Sequence, residues 1–277
     1  MRKPLSIKLE DLRQDQLRDL FLVAEQVFAG LGIDFYILGA LARDSWYAKE
    51  NLGSRTTRDV DFALYVSSQD QYDNLFAKLI KEHGFSEIKE VPFRLQTPFG
   101  FTIDLIPFGD FSIDDAVFPD EHRDRPVFVN AFEEVFKHAT APVEVEEDTL
   151  KFRVATLPAI LLLKLIAYDD RPENRTQDPL DIADIILNYV EIEKEMIWEK
   201  HHDLFDEGTG LDEIATVVIG REIKDILYDN KVLRNRVLQI LSLKERTQRN
   251  MAKAMVREGR TLEEVEHWFR RIRQGVE

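Results

Sequence analysis

The sequence predicts a mixed α/β half followed by an all-helical half, and three observations carry that prediction. Up to Ala155, short apolar runs of strand length alternate with stretches of helical periodicity, the pattern of a sheet with helices packed on it. After Ala155 the apolar residues recur at helical spacing to the end of the sequence. Between the two, Thr156-Leu157-Pro158 opens a helix, since proline is tolerated in a first turn. The expected domains are 1–155 and 156–277. With 277 residues and 44% hydrophobic content, the chain can bury a substantial core.

Within the first half, 9–32 carries Leu12, Leu17, Leu20, Phe21, Ala24 and Val27-Phe28 on one helical face, with Gly32 placed to end the helix. A first strand at 34–38 leads into a helix over 40–50 that bears Trp46 and Tyr47. A polar loop around Gly53 precedes a second strand, which ends near Val66. Ser67-Ser68 cap a helix over 69–83, closed by Gly84. Short strands are expected at 85–90 and 91–96, and a stronger one at 99–108. The acidic, turn-rich run 109–125 reads as a surface excursion, and strands at 126–129, 142–146 and 150–155 complete the half. Helices are then expected over roughly 158–169, 178–192, 195–205, 211–229, 231–243, 245–257 and 261–273.

Composition excludes several classes. There is no cysteine, so disulfides and thiolate metal sites are ruled out, and a metal must use oxygen or histidine ligands. The histidines form no metal box: His201-His202 diverge on a helix and the others stand alone. Neither a Walker phosphate loop nor a Gly-x-Gly-x-x-Gly fingerprint is present. No apolar run approaches the roughly 20 residues of a membrane span. A cytoplasmic protein without membrane contact is expected. The net charge of −15 has the wrong sign for non-specific nucleic-acid binding, but it is uneven. From Lys231 onward there are 12 Lys and Arg against 6 Asp and Glu, whereas the remainder holds 25 against 46. Such a basic end either docks RNA or, more simply, pairs with the acidic body. Trp268-Phe269 beside Arg270, Arg271 and Arg273 poses the same choice, with an amphipathic helix packing its aromatic side as the simpler reading.

The chemistry gathers around 36–66. Residues two apart on a strand face the same way, so Asp59 and Asp61 present two carboxylates together while Val60, Phe62 and Leu64 turn inward. Neighbouring carboxylates repel unless a cation lies between them, and hard oxygen ligands suit Mg²⁺. A third acid is available at Asp104, between Ile103 and Leu105, where burial is costly without a partner; alternation also lets it face solvent. Gly39-Ala40 is either tight packing or room for a polyphosphate to approach the backbone. Arg43, Arg55 and Arg58 flank these residues; Arg43 either pairs with Asp44 or offers its fork to phosphate.

Gly39-Ala40, Arg43-Asp44, Asp59-Val60-Asp61 and Asp104 together resemble the polymerase-β-type nucleotidyltransferase superfamily. The sequence is most similar to its AbiEii/AbiGii branch, the nucleotidyltransferase toxins of type IV toxin–antitoxin and phage-defence systems. Arg55-Thr56-Thr57-Arg58-Asp59 approximates that branch's Arg-x-Thr element, and Lys164-Leu165-Ile166-Ala167 its Lys-Leu-x-Ala helix. Arg171 or Arg175 and then Asp178-Pro179-Leu180-Asp181 match the branch's downstream Arg and Lys/Arg-Asp-x-x-Asp elements, with Ala40 and Gln177 as departures. The match spans 34–189.

The resemblance implies an α/β catalytic domain with a mixed sheet, a helical C-terminal domain and transfer of a nucleoside monophosphate from a nucleoside triphosphate to a hydroxyl. Asp59, Asp61 and Asp104 would hold two Mg²⁺ ions, and Asp104 would help deprotonate the acceptor. Gly39, Ala40, Arg43, Arg58, Lys164, Asp178 and Asp181 would bind the nucleotide, and Lys164, a point charge on the triphosphate, would join the three acids as a catalytic residue. Lys164 would otherwise snorkel to the surface, and Asp178 would otherwise cap its helix. The implied acceptor is a tRNA or other RNA end, with a neighbouring antitoxin as a further partner. Two alternatives remain open: an aminoglycoside-type small-molecule nucleotidyltransferase, which the acidic charge suits, and a non-catalytic nucleotide- or partner-binding descendant.

Overall fold

The computed structural model describes the chain except residues 1–3, 9–15, 51, 53–57, 89–90, 92, 110–115, 118–126, 147–149, 206–207 and 258. For 116, 117 and 127 it describes the backbone alone. Two compact units result, Met1–Thr156 and Leu157–Glu277.

The first unit is a mixed sheet carrying helices. In chain order it holds β1 (Leu5–Ile7), α1 (Leu17–Gly30), β2 (Asp34–Leu38), α2 (Gly39–Ala48), β3 (Asp59–Tyr65) and α3 (Gln69–His83). There follow β4 (Ser86–Glu87), β5 (Arg94–Gln96), β6 (Thr102–Phe108), β7 (Ala116–Val117), β8 (Val127–Phe128), α4 (Phe132–His138), β9 (Thr140–Val145) and β10 (Lys151–Ala155). Eight strands form one sheet in the order β1-β9-β10-β2-β3-β6-β5-β4, and β7 pairs with β8 separately. The β1–β9, β10–β2 and β3–β6 pairs are parallel and the others antiparallel, so the expected mixed sheet is present.

Strand alternation sorts the two faces. Ile37 pairs with Phe62 and Phe35 with Leu64, which puts these four on one face. There α1 lays its buried Leu17, Leu20, Phe21, Ala24, Val27 and Phe28 against the sheet. Phe28 meets the Phe35 and Phe62 rings at 5.0 and 5.5 Å, and Phe21 stacks on Phe152 at 4.4 Å. Each such ring contributes roughly 1.5–3 kcal/mol by leaving water. The opposite face carries Tyr36, Tyr65 and Phe108, clustered with Phe132 and Phe136 of α4.

Several local expectations differ from the outcome for identifiable reasons. The expected helix over 9–32 begins at Leu17 in the described chain, and its first residues lie outside the described residues. Three-residue β1 and seven-residue α4 are too short to produce a periodic signal. Ser68 caps α3 as its sequence suggests, accepting the Gln71 N–H at 3.2 Å.

The second unit is helical: α5 (Leu157–Asp170), α6 (Asp178–Ile192), α7 (Lys194–Lys200), α8 (Leu211–Ile226), α9 (Lys231–Ile240), α10 (Arg246–Ala254) and α11 (Leu262–Val276). Single 3₁₀ turns sit at Pro172–Asn174 and His202–Leu204. α8 and α11 pack backbone to backbone. A Cβ on Gly220 would lie 2.2 Å from the Ile272 carbonyl, and one on Gly275 would lie 2.4 Å from that of Val217. Trp268 and Phe269 are each 1% exposed, so the aromatic side of α11 is core. Part of the basic tail pairs within this unit. Arg236 meets Asp169 and Asp170, Arg257 meets Asp184, and Arg260 meets Asp212. Among the described residues, no helix is long and apolar enough to cross a membrane.

Candidate active site

On β3, Val60, Phe62 and Leu64 are fully buried on the α1 side, and Asp59 and Asp61 point the other way, Asp59 exposed and Asp61 half-buried. β6 runs parallel beside it, with Thr102 paired to Asp59 and Asp104 paired to Asp61. Residues opposite one another across a ladder share a face, so all three acids lie on one side of two adjacent strands. Ile103 and Leu105 are buried beneath. Asp104 is thus half-exposed by alternation rather than sunk in the core.

The neighbouring strand fixes where Asp61 can go. β2 ends at Leu38, which pairs with Asp61, and the next residue already begins α2. That residue is Gly39, at φ 69°, a conformation costly for any residue with a side chain. A Cβ there would lie 2.0 Å from Asp61 Oδ2. Gly39 is therefore required twice, by its backbone and by the carboxylate it borders. The carboxylate lies at the N-terminus of α2, where helix amides favour anions. Trp46 Nε1 of α2 donates to the Ala155 carbonyl at 2.9 Å and ties the helix to β10.

The flanking arginines divide. Arg43 is 4% exposed, donates from Nε and Nη2 to Asp44 Oδ1 at 3.0 and 2.8 Å, and sits over the Tyr47 ring. Arg43 and Asp44 thus form a packed pair within α2. Arg58 is exposed just before β3, and its carbonyl accepts the Thr102 N–H at 2.8 Å. Arg55, with Thr56 and Thr57, lies outside the described residues.

An arginine absent from the expectations lies against the acids. Arg94 of β5 stands opposite Asp104, its Nε donating to Oδ1 at 2.6 Å and its Nη2 to Oδ2 at 2.7 Å. Hydrogen bonding to Asp104, and the negative charge of Asp59 and Asp61, hold its pKa above the ordinary guanidinium value. The signal was countable in the sequence. From the turn at Pro98-Phe99-Gly100, antiparallel pairing runs back through Gln96–Thr102 and Leu95–Ile103 to Arg94–Asp104.

In the second unit, Lys164 of α5 donates to Asp178 Oδ1 at 2.7 Å and to Asp181 Oδ2 at 2.9 Å. The three side chains are only 17%, 8% and 13% exposed, so Lys164 does not snorkel. Both acids lie in the first turn of α6, where the helix dipole favours them. Asp178 makes no side-chain cap; its Oδ2 is buried without a hydrogen-bond partner among the described residues. Arg171 is half-buried and Arg175 exposed.

β3 and β6 present hard carboxylate oxygens, the ligand type Mg²⁺ takes, on one sheet face, one of them fitted against a glycine. As placed, however, no group of three or more acidic or histidine side chains is gathered closely enough to hold a metal, among the described residues. Asp104 is turned to Arg94 instead.

No family model matches this sequence, and no curated protein sequence matches it. Two solved structures resemble it. One is an antigenic nucleotidyltransferase-like protein from Paracoccidioides brasiliensis, 17% identical, covering 69% of this chain and 90% of that one at a TM-score of 0.37. The other is the antibiotic-resistance factor ANT(2'')-Ia, 14% identical, covering 69% of this chain and 99% of that one at a TM-score of 0.36. Neither likeness carries a functional assignment at this distance.

Proposed function

We propose that this protein is a Mg²⁺-dependent nucleotidyltransferase that moves a nucleoside monophosphate from a nucleoside triphosphate to a hydroxyl acceptor. One observation carries the reading: Asp61 and Asp104 pair across β3 and β6, with Asp59 on the same face and Gly39 leaving room for Asp61. In the reaction the acceptor oxygen bonds to the α-phosphorus. The bond to the bridging oxygen breaks, and pyrophosphate leaves with its electron pair. Asp104 takes the acceptor's proton, and Asp59, Asp61 and Asp104 are the residues that would hold the cations. Bound there, Mg²⁺ lowers the pKa of the attacking hydroxyl and neutralises phosphate charge. Gly39 and Ala40 let the triphosphate approach the first amides of α2. The motif likeness assigns Lys164, Asp178 and Asp181 to nucleotide binding as well, and Arg58 stands exposed beside Asp59.

The acceptor we propose is an RNA end, in keeping with the AbiEii-like motifs, with an antitoxin as the partner those motifs imply. Lys231, Arg234, Lys244, Arg246, Lys253 and Arg270 pair with no acid among the described residues, leaving cationic surface for a phosphodiester backbone. A cavity of about 470 Å³ in the second unit is lined by Lys244, Glu245, Gln248 and Arg273 among others.

A second reading, a non-catalytic descendant, is favoured by one observation: Asp104 is held by Arg94 rather than grouped with the other acids. Thermal unfolding with each nucleoside triphosphate, with and without Mg²⁺, separates the two. A ligand at 100 times its Kd adds about 2.7 kcal/mol to the folded state. The expected result is a Mg²⁺-dependent rise in Tm that Asp59→Asn/Asp61→Asn abolishes, with α-labelled triphosphate then marking RNA. Label on an aminoglycoside instead would move the acceptor assignment, and no shift with any triphosphate would favour the non-catalytic reading.

A further inference from the structure

We infer that Arg94 is a guard on Asp104, an internal cation that holds the third carboxylate until a divalent ion displaces it; this rests on the nucleotidyl-transfer reading. The hairpin of β5 and β6 sets Arg94 directly opposite Asp104, and the guanidinium fork meets both carboxylate oxygens at 2.6 and 2.7 Å. The fork takes a lone pair on each oxygen and puts a full positive charge where a cation would approach. The same charge lies in the field of Asp59 and Asp61, so it partly neutralises the whole acidic face. Arg94 and a divalent ion cannot both be close to Asp104 without strong like-charge repulsion.

The pair is also built to open. Its side chains are 35% and 21% exposed, so the guanidinium can turn to solvent without stranding a buried charge. β5 is only three residues long and has on its other side a two-residue edge strand, β4. Arg94 is thus a positioning residue: it sets where the Asp104 carboxylate points and how tightly the site takes its ion.

Mn²⁺ binding to the full chain, followed by electron paramagnetic resonance and calorimetry without nucleotide, tests this apart from turnover. A cation at contact distance competes directly with an incoming divalent ion for the same carboxylate, an effect of about tenfold or more on ion affinity. Arg94→Met is expected to lower the Mn²⁺ dissociation constant by at least that factor. Arg94→Gln, measured in parallel in case the methionine variant does not fold, is expected to act in the same direction. The gain is expected to vanish in Arg94→Met/Asp104→Asn. Equal or weaker binding by both Arg94 variants would overturn the guard while leaving the metal site standing. Failure of wild type and both variants alike to bind Mn²⁺ would remove the metal site itself, and the guard with it.

Discussion

The first unit sets three carboxylates and Arg94 on a sheet face; the second sets two carboxylates and Lys164 between two helices. Both clusters contain more acid than base, and both have a cation bridged to carboxylate oxygens at hydrogen-bond distance. They differ in water. Arg94 and Asp104 are 35% and 21% exposed, whereas Lys164, Asp178 and Asp181 are 17%, 8% and 13% exposed. Near solvent, attraction between charges is weakened and a broken pair is rehydrated, so partners can be exchanged. Away from solvent, losing one partner leaves a charge that nothing restores. The sheet-face pair is therefore the easier of the two to open, and the helical cluster also ties α5 to α6.

The sharpest way to break this contrast is Lys164→Met. It would remove the cation from between Asp178 and Asp181, and breaking a buried pair by deleting one partner costs about 3–5 kcal/mol. Denaturant unfolding should show a loss of that size. Arg94→Met, at a half-exposed pair, should change stability by no more than about 1 kcal/mol. Equal losses would mean that exposure does not govern these clusters. Gly39→Ala comes next. Its Cβ would collide with Asp61 Oδ2, at a φ that disfavours side chains, and we expect a cost of about 1–3 kcal/mol. The variant should also lose the nucleotide-dependent rise in Tm, although every acid remains.

A smaller effect concerns His201. Its Nδ1 accepts from Arg221 at 3.2 Å, while Arg221 also forks onto Asp203. Burial and then the Arg221 charge push the imidazole below its usual 6.5, outweighing Glu222 and Asp203. The unfolded chain then binds this proton more readily than the folded one. The stability tied to neutral His201 is complete above pH 6.5 and falls away as pH drops through 6.5 toward the lowered value. His201→Gln should flatten the decline of Tm with acidification across that window, and an unchanged slope would exclude the effect.

The acids could be read in the sequence because each sits in an apolar run whose alternation fixes its direction. Asp59 and Asp61 follow from Val60, Phe62 and Leu64, and Asp104 from Ile103 and Leu105. The start of α6 was equally plain: Asp178-Pro179 marks the first turn, and the helix spans Asp178–Ile192 as its spacing predicts. Arg94 was harder, since a three-residue strand has no period and its meaning comes from a hairpin partner ten residues on. Arg43 could be read two ways because adjacency to Asp44 does not say whether the helix buries them, and here it does. The Gly220–Gly275 approach left no local signal, because it is a fact about two distant backbones.

That approach has a consequence for how the second unit opens. Gly220 and Gly275 close a loop that contains α9 and α10, and the atoms nearest each glycine across the contact are backbone, which cannot change rotamer to yield by degrees. The contact is either made or absent. α8 and α11 should therefore exchange their amide hydrogens with a single shared free energy. The helices enclosed between them should loosen together with them, as one cooperative block.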